Sequence, residues 1–380
     1  MCPLHTPPLL PLDGQLSEPE PQPLDSLVDE PLASPRDTNG VGWFHAFTPA
    51  VGTVVRQLDY SFVWTAKHPR ISELLEMRTR ADPDADLLLA KLKIGFNEDA
   101  VAIIAQRAQR HTAAVKEQRQ EQQSSPLASS DSSAVDADCF RFMTKYSSVP
   151  SWVDWGQIAR GQRVFQRYGP IGLLILLYSS LIGGFGAPLI NKVLNSSNNL
   201  SRSCPAAYAR LVQTSLAILA CMGPTAQTLH PIWSDSSIPA DARAPPVTSQ
   251  LSHRGDGFMA SLRTRFLHAQ VRKMLLAREG GWDTSTYGVP INQEDSSVTL
   301  MSFSFNFIDT LKRLGITISA QEKTDYMALW KYIGFLRWGM KRAAAERMRS
   351  VAASMPSSCC TLFFIFAAAA PIPCSSIARW

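Results

Sequence analysis

One histidine stands between two arginines on a stretch with helical periodicity. In SLRTRFLHAQVRKML, residues 261–275, the positions Leu262, Phe266 and Ala269, with Leu276 just beyond, recur at helical spacing and predict a core-facing stripe. At about 100° per residue, Arg265, His268 and Arg272 fall within roughly 60° of one another beside that stripe. An imidazole so placed has two readings. It is a satisfied core histidine or part of a solvated edge, or it is the single protein ligand of haem. In the second case Arg265 and Arg272, one turn to either side, would take the two propionates as bidentate partners.

Other chemistries find less support. The seven histidines (5, 45, 68, 111, 230, 253 and 268) are isolated, and no spacing offers the three or four converging ligands that zinc needs. No HExxH, GxSxG, P-loop or complete GxGxxG occurs, and GGFGAP only approaches the last. The net charge of +5 is spread along the chain without a run of five basic residues, which argues against a nucleic-acid partner. Seven cysteines form no CxxC pair, as expected of free thiols in a reducing compartment. The opening MCPLHTPPLLPLDGQ lacks the basic and apolar regions of a secretory signal, so the expectation is an intracellular protein with no signal peptide.

The elements that must position these residues are helices. Residues 1–40 hold nine prolines among Ser, Asp and Glu and predict a disordered segment. A helical region follows to about Gln118, then a polar loop at 116–138, then a further compact region with a Pro/Ser-rich insertion at 231–257. Asp295, Ser296 and Ser297 are candidate N-caps for the helix that Gly315 stops, and Ser319 with Glu322 forms a capping box. Strand-like alternation is scarce, so the fold class is all-α, with residues 41–338 as one helical domain and 339–380 as a tail of different character. From Tyr168 to Asn191 no charged residue occurs, and 171–190 reads either as a membrane span or as a core helix bent at Gly183-Gly184.

Three runs together are more specific. RTRFLHAQVR (263–272), GGWDTSTYGVPINQED (280–295) and TISAQEKTDYMALWKYIG (317–334) resemble the catalytic domain shared by two kinds of enzyme. These are the rubber oxygenases, or latex clearing proteins, and the endoplasmic-reticulum-bound oxygenase of mycophenolic acid biosynthesis. VPSWVDWGQIARGQRVFQRYGPIGLLILLYSSLIGGFGAP fits the same family's earlier core, and the resemblance runs with gaps from about 43 to 338. It implies a globin-like helical core around haem b with additional helices. It also implies oxidative cleavage of a C=C bond in an apolar, isoprenoid-like substrate by O₂. His268 is then the iron ligand, and Arg265 and Arg272 bind the cofactor. The family's distal Arg-x-x-Lys-Thr pattern falls on Arg210, Gln213 and Thr214 as catalytic residues, with Gln213 departing from the lysine of rubber-cleaving members. Two further departures are the 231–257 insertion and the chain after Trp338. PINQ is expected to form a structural turn beside the haem-bearing helix. The competing reading is a non-enzymatic, membrane-associated helical protein, or an inactive family member, touching membrane (the endoplasmic reticulum) through 171–190 or the C-terminal tail.

Overall fold

Proline, glycine and short polar side chains decide where the helices begin, bend and stop. The computed structural model describes residues 50–57, 60–66, 68, 70–96, 98–121, 131–182, 187–197, 203–223 and 249–339. The chain divides into two units, Met1–Val41 and Gly42–Trp380. The first, with the expected Pro-rich segment, lies outside the described residues, as do Gly183-Gly184, most of the 231–257 insertion and the tail beyond 339.

A small antiparallel hairpin, β1 (Val54–Gln57) and β2 (Tyr60–Val63), pairs Val54 with Val63 and Gln57 with Tyr60. Among the described residues the elements after it are helices: α1 (Ile71–Arg78), α2 (Pro83–Leu92), α3 (Ala100–Glu121), α4 (Asp131–Ser147), α5 (Trp155–Ile175), α6 (Pro188–Ser196), α7 (Cys204–Met222), α8 (Asp256–Leu276), α9 (Thr284–Tyr287), α10 (Gln293–Arg313) and α11 (Ala320–Trp338). The all-α expectation holds, with the hairpin as an addition.

Local chemistry explains most of these ends. Asp154 accepts from the backbone N–H of Gly156 (2.8 Å) and Gln157 (3.3 Å) to open α5. Ser203 caps α7, and Ser319 and Glu322 make the reciprocal capping box of α11. The polar loop expected at 116–138 is shorter than its composition suggests. Good helix formers carry α3 on to Glu121, and α4 is already under way at Asp131. The start of α10 also differs from expectation. Its cap is Asn292, whose side-chain oxygen accepts from Asp295 N–H at 2.8 Å, so Asp295, Ser296 and Ser297 lie inside the helix.

The uncharged stretch is broken rather than continuous. Pro170 has no N–H to give, and Gly169 leaves helical geometry (φ 3°, ψ −92°) to accommodate it, so α5 kinks there. The chain then runs as a π-helical stretch, Leu176–Ile182, and α6 begins at Pro188. Ile175, Leu176, Ser180 and Leu189 are buried, whereas Leu174 and Tyr178 face out. The helix long and apolar enough to cross a membrane, among the described residues, is instead α7.

α8 is central. Leu262, Phe266 and Ala269 are buried as expected, but Leu275 rather than Leu276 completes the set, and Arg265 and Arg272 are buried too. What the sequence presents as a polar edge is interior. α2, α7 and α11 all pack on α8, and α11 lies along α5. Gly257 permits the close approach of α8 to α7. A Cβ there would meet the Ala220 carbonyl oxygen at 2.7 Å and the Cys221 Cα at 3.0 Å.

Candidate functional site

The two arginines beside His268 reach across to α2. Arg265 donates through Nη2 to Asp82 (2.7 Å) and to Tyr146 Oη (2.7 Å), and through Nε to the other Asp82 oxygen. Its guanidinium also lies 4.0 Å over the Tyr146 ring. Arg272 grips both oxygens of Asp86 at 2.7–3.0 Å and donates to the Ile291 carbonyl at 3.0 Å. Burial works against the charge of Arg265, but Asp82 and Tyr146 outweigh it and the net shift is upward. At Asp86 burial prevails over Arg272, and the carboxyl is raised.

These carboxylates come from DPDAD (82–86) at the start of α2, where acidic residues also suit the positive end of the helix dipole. Arg265 and Arg272, expected to hold propionates, thus each meet a carboxylate of α2 in this structure. Most of their donors are engaged by groups that include carboxylates 183 and 186 residues away in sequence, while Arg265 Nη1 is buried without a partner.

His268 points elsewhere. It borders a cavity of about 720 Å³, within the ~300–1,000 Å³ range of small-molecule and cofactor sites. The apolar wall includes Val193 of α6, Leu211 and Leu216 of α7, Leu267 and Val271 of α8, and Val298 and Phe303 of α10. Arg210, Gln213 and Thr214 line it too, so α7 brings all three to the same space as His268. Arg210 Nη1 donates to Gln213 Oε1 at 3.1 Å, an acceptor that a lysine at this position would lack.

His268 Nδ1 is buried with no hydrogen-bond partner. Desolvation first, then the cations Arg337 and Arg272, push the imidazole down to about 3, so it is neutral near pH 7. The Trp338 ring stacks against it at 6.4 Å and 20°. The expected PINQ turn is in place and structural. Asn292 and Gln293 bond the carbonyls of Val289 (3.0 Å), Ala81 (2.9 Å) and Trp338 (3.2 Å). Ile291 is held at φ +54°, costly for a β-branched residue, in the turn that gives its carbonyl to Arg272.

Beyond the expected site residues, the wall carries Arg263, Asp295 and Arg337. Arg337, in the last turn of α11, is buried, and so is Asp295, whose Oδ1 has no partner. Burial, with Glu294 beside it, pushes the Asp295 carboxyl up to about 7. Glu294 itself is raised by burial despite its ion pair with Arg78. The one signal for Arg337 was a cation directly after the apolar run of α11. Among the described residues no cluster of three or more His, Cys, Asp or Glu could hold a bare metal ion.

Fold and site thus define a helical domain with one neutral histidine facing a ligand-sized, largely apolar cavity. A family model described as "ER-bound oxygenase mpaB/B'/Rubber oxygenase, catalytic domain" matches residues 170–359, half of the chain. The chain belongs to this family of oxygenase catalytic domains. A solved structure of latex clearing protein LCP in the closed state is similar at 17% identity, over 76% of this chain and 70% of that one, with a TM-score of 0.44. No curated protein matches.

Proposed function

We propose that the cavity holds haem b through His268, and that the chain cleaves a C=C bond of an apolar, isoprenoid-like substrate with O₂. The observation that carries this is the imidazole itself. It lies in the cavity wall, is neutral as a ligand must be, and has no hydrogen-bond partner at Nδ1. Haem needs no second protein ligand, so a lone histidine suffices where the described residues hold no metal-binding cluster. When bound, haem would supply the iron chemistry that activates O₂.

The protein's own part is binding and orientation. The Leu, Val and Phe wall takes the apolar chain and limits water around it. Thr214 and the bonded Arg210–Gln213 pair supply polar groups on α7 that orient O₂ and the alkene. Trp338, stacked on His268, holds the imidazole plane.

The test is spectroscopic. Purified protein mixed with haemin develops a Soret band that a reductant shifts, and His268→Ala loses or strongly moves that band. An unchanged spectrum in the variant overturns the assignment.

A second reading, membrane contact, is favoured by the outer face of α7, where Tyr208 (71% exposed), Val212 (37%) and Leu219 (38%) are uncovered. Co-flotation with anionic vesicles, reduced in Tyr208→Ser/Leu219→Ser, supports it. Equal flotation of the two proteins rejects it.

A further inference from the structure

Arg337 is a buried cation without an anion. It is 3% exposed, yet none of the ion pairs among the described residues includes it. Its Nη2 donates to the Ala217 carbonyl at 3.1 Å and lies 3.7 Å from Cys221 Sγ, while Nε has no partner. The other deeply placed arginines are treated differently. Arg78, Arg265 and Arg272 each meet a carboxylate.

An isolated buried charge is strongly unfavourable, and a guanidinium does not shed its proton to escape it. Burial does pull the Arg337 pKa down from its ordinary value. Asp295 borders the same cavity but makes no ion pair with Arg337, and burial pushes its carboxyl up to about 7. The other two cations of the wall are engaged, Arg210 with Gln213 and Arg263 with Asp99. Arg337 therefore turns an uncompensated positive charge toward an apolar cavity.

We infer that Arg337 binds the carboxylate of an otherwise apolar ligand in the His268 cavity. The shared chemistry is an acid group on a large apolar body, either a porphyrin propionate or the head of an apolar carboxylic acid. The first source rests on the haem reading above; the second does not. The guanidinium fork suits either, because it presents parallel N–H donors to both carboxylate oxygens. This moves the expected anion-binding role from Arg265 and Arg272 to a residue on a different helix.

The experiment uses the full chain and two pairs of probes. One is metal-free protoporphyrin IX and its dimethyl ester; the other is cis-parinaric acid and its methyl ester, each titrated by fluorescence. Wild type binds the acid of at least one pair about tenfold more tightly than its ester, equivalent to ~1.4 kcal/mol. Arg337→Met binds acid and ester alike, and Arg337→Lys keeps part of the difference. Arg337→Met also melts at or above the wild-type temperature, since it removes an unpaired buried charge, whereas a merely structural arginine would lower it.

Discrimination in the porphyrin pair alone identifies a propionate. Discrimination in the parinaric pair alone identifies a free acid, and upholds Arg337 even if His268→Ala shows the haem reading to be wrong. The inference is overturned if wild type discriminates in neither pair. It is also overturned if Arg337→Met keeps the discrimination or melts well below wild type.

Discussion

Replacing Arg265 tests whether it belongs to the fold or to a cofactor. Arg265→Met leaves Asp82, whose side chain is 9% exposed, without its guanidinium, and Tyr146 loses one of its partners. Asp84, 3.7 Å from the same guanidinium, keeps Lys145 and Tyr146. Breaking one side of a buried pair costs about 3–5 kcal/mol, because the remaining charge is left in a poor environment. At a urea m-value of ~3 kcal/mol/M, that lowers the unfolding midpoint by roughly 1–1.7 M.

The double variant Arg265→Met/Asp82→Leu removes both charges and recovers part of the loss, so the two effects fall short of additivity. Urea titration followed by tryptophan fluorescence reads all three proteins against wild type. Porphyrin affinity of the folded fraction stays within a few-fold of wild type. An Arg265→Met protein of unchanged midpoint that no longer retains porphyrin would refute the reasoning and restore the propionate role.

Three further outcomes follow from the same geometry. Asp295 is raised to about 7, so the folded state holds its proton where the unfolded chain does not, and its contribution is complete below about pH 4 and lost as pH rises toward 7. The stability difference between wild type and Asp295→Asn therefore falls by up to ~1.4 kcal/mol per pH unit across that window, and a flat difference in urea titrations at several pH values rejects the shift. Gly257→Val drives a side chain into the Ala220 carbonyl and Cys221 of α7, costing about 1–3 kcal/mol and loosening porphyrin binding; calorimetry showing an unchanged melting temperature would contradict the close contact. Gln213→Lys removes the acceptor that Arg210 uses and restores the lysine of the Arg-x-x-Lys-Thr pattern, so under the proposed function haem content stays constant while carbonyl products from polyisoprene increase. Loss of haem from that variant would show that Gln213 supports the fold instead.

Features set within a few residues were legible from the chain alone. The capping box at Ser319 and Glu322, the PINQ turn and the helical character of 261–275 depend on neighbours one turn away, and such signals are written in residue order. The motif around His268 was legible for the same reason, and a family match over 170–359 accompanies it. The α10 cap was misjudged by three residues because Asn292, Asp295, Ser296 and Ser297 are all competent caps, and only the path of the preceding turn selects among them.

The partners of the cations were beyond local reading. A guanidinium beside a histidine looks the same in sequence whether it waits for a propionate or holds an aspartate. DPDAD at the start of α2 answers Arg265 and Arg272 only because packing lays α2 across α8. Arg337 is the converse case. It reads as an ordinary cation ending α11, and it becomes a candidate anion-binding group only because the fold buries it at a cavity and brings it no carboxylate. Residue types set which charges exist and which helices form. Tertiary packing alone decides which charges meet and which remain for a ligand, because pairing depends on distance and burial between segments far apart in the chain.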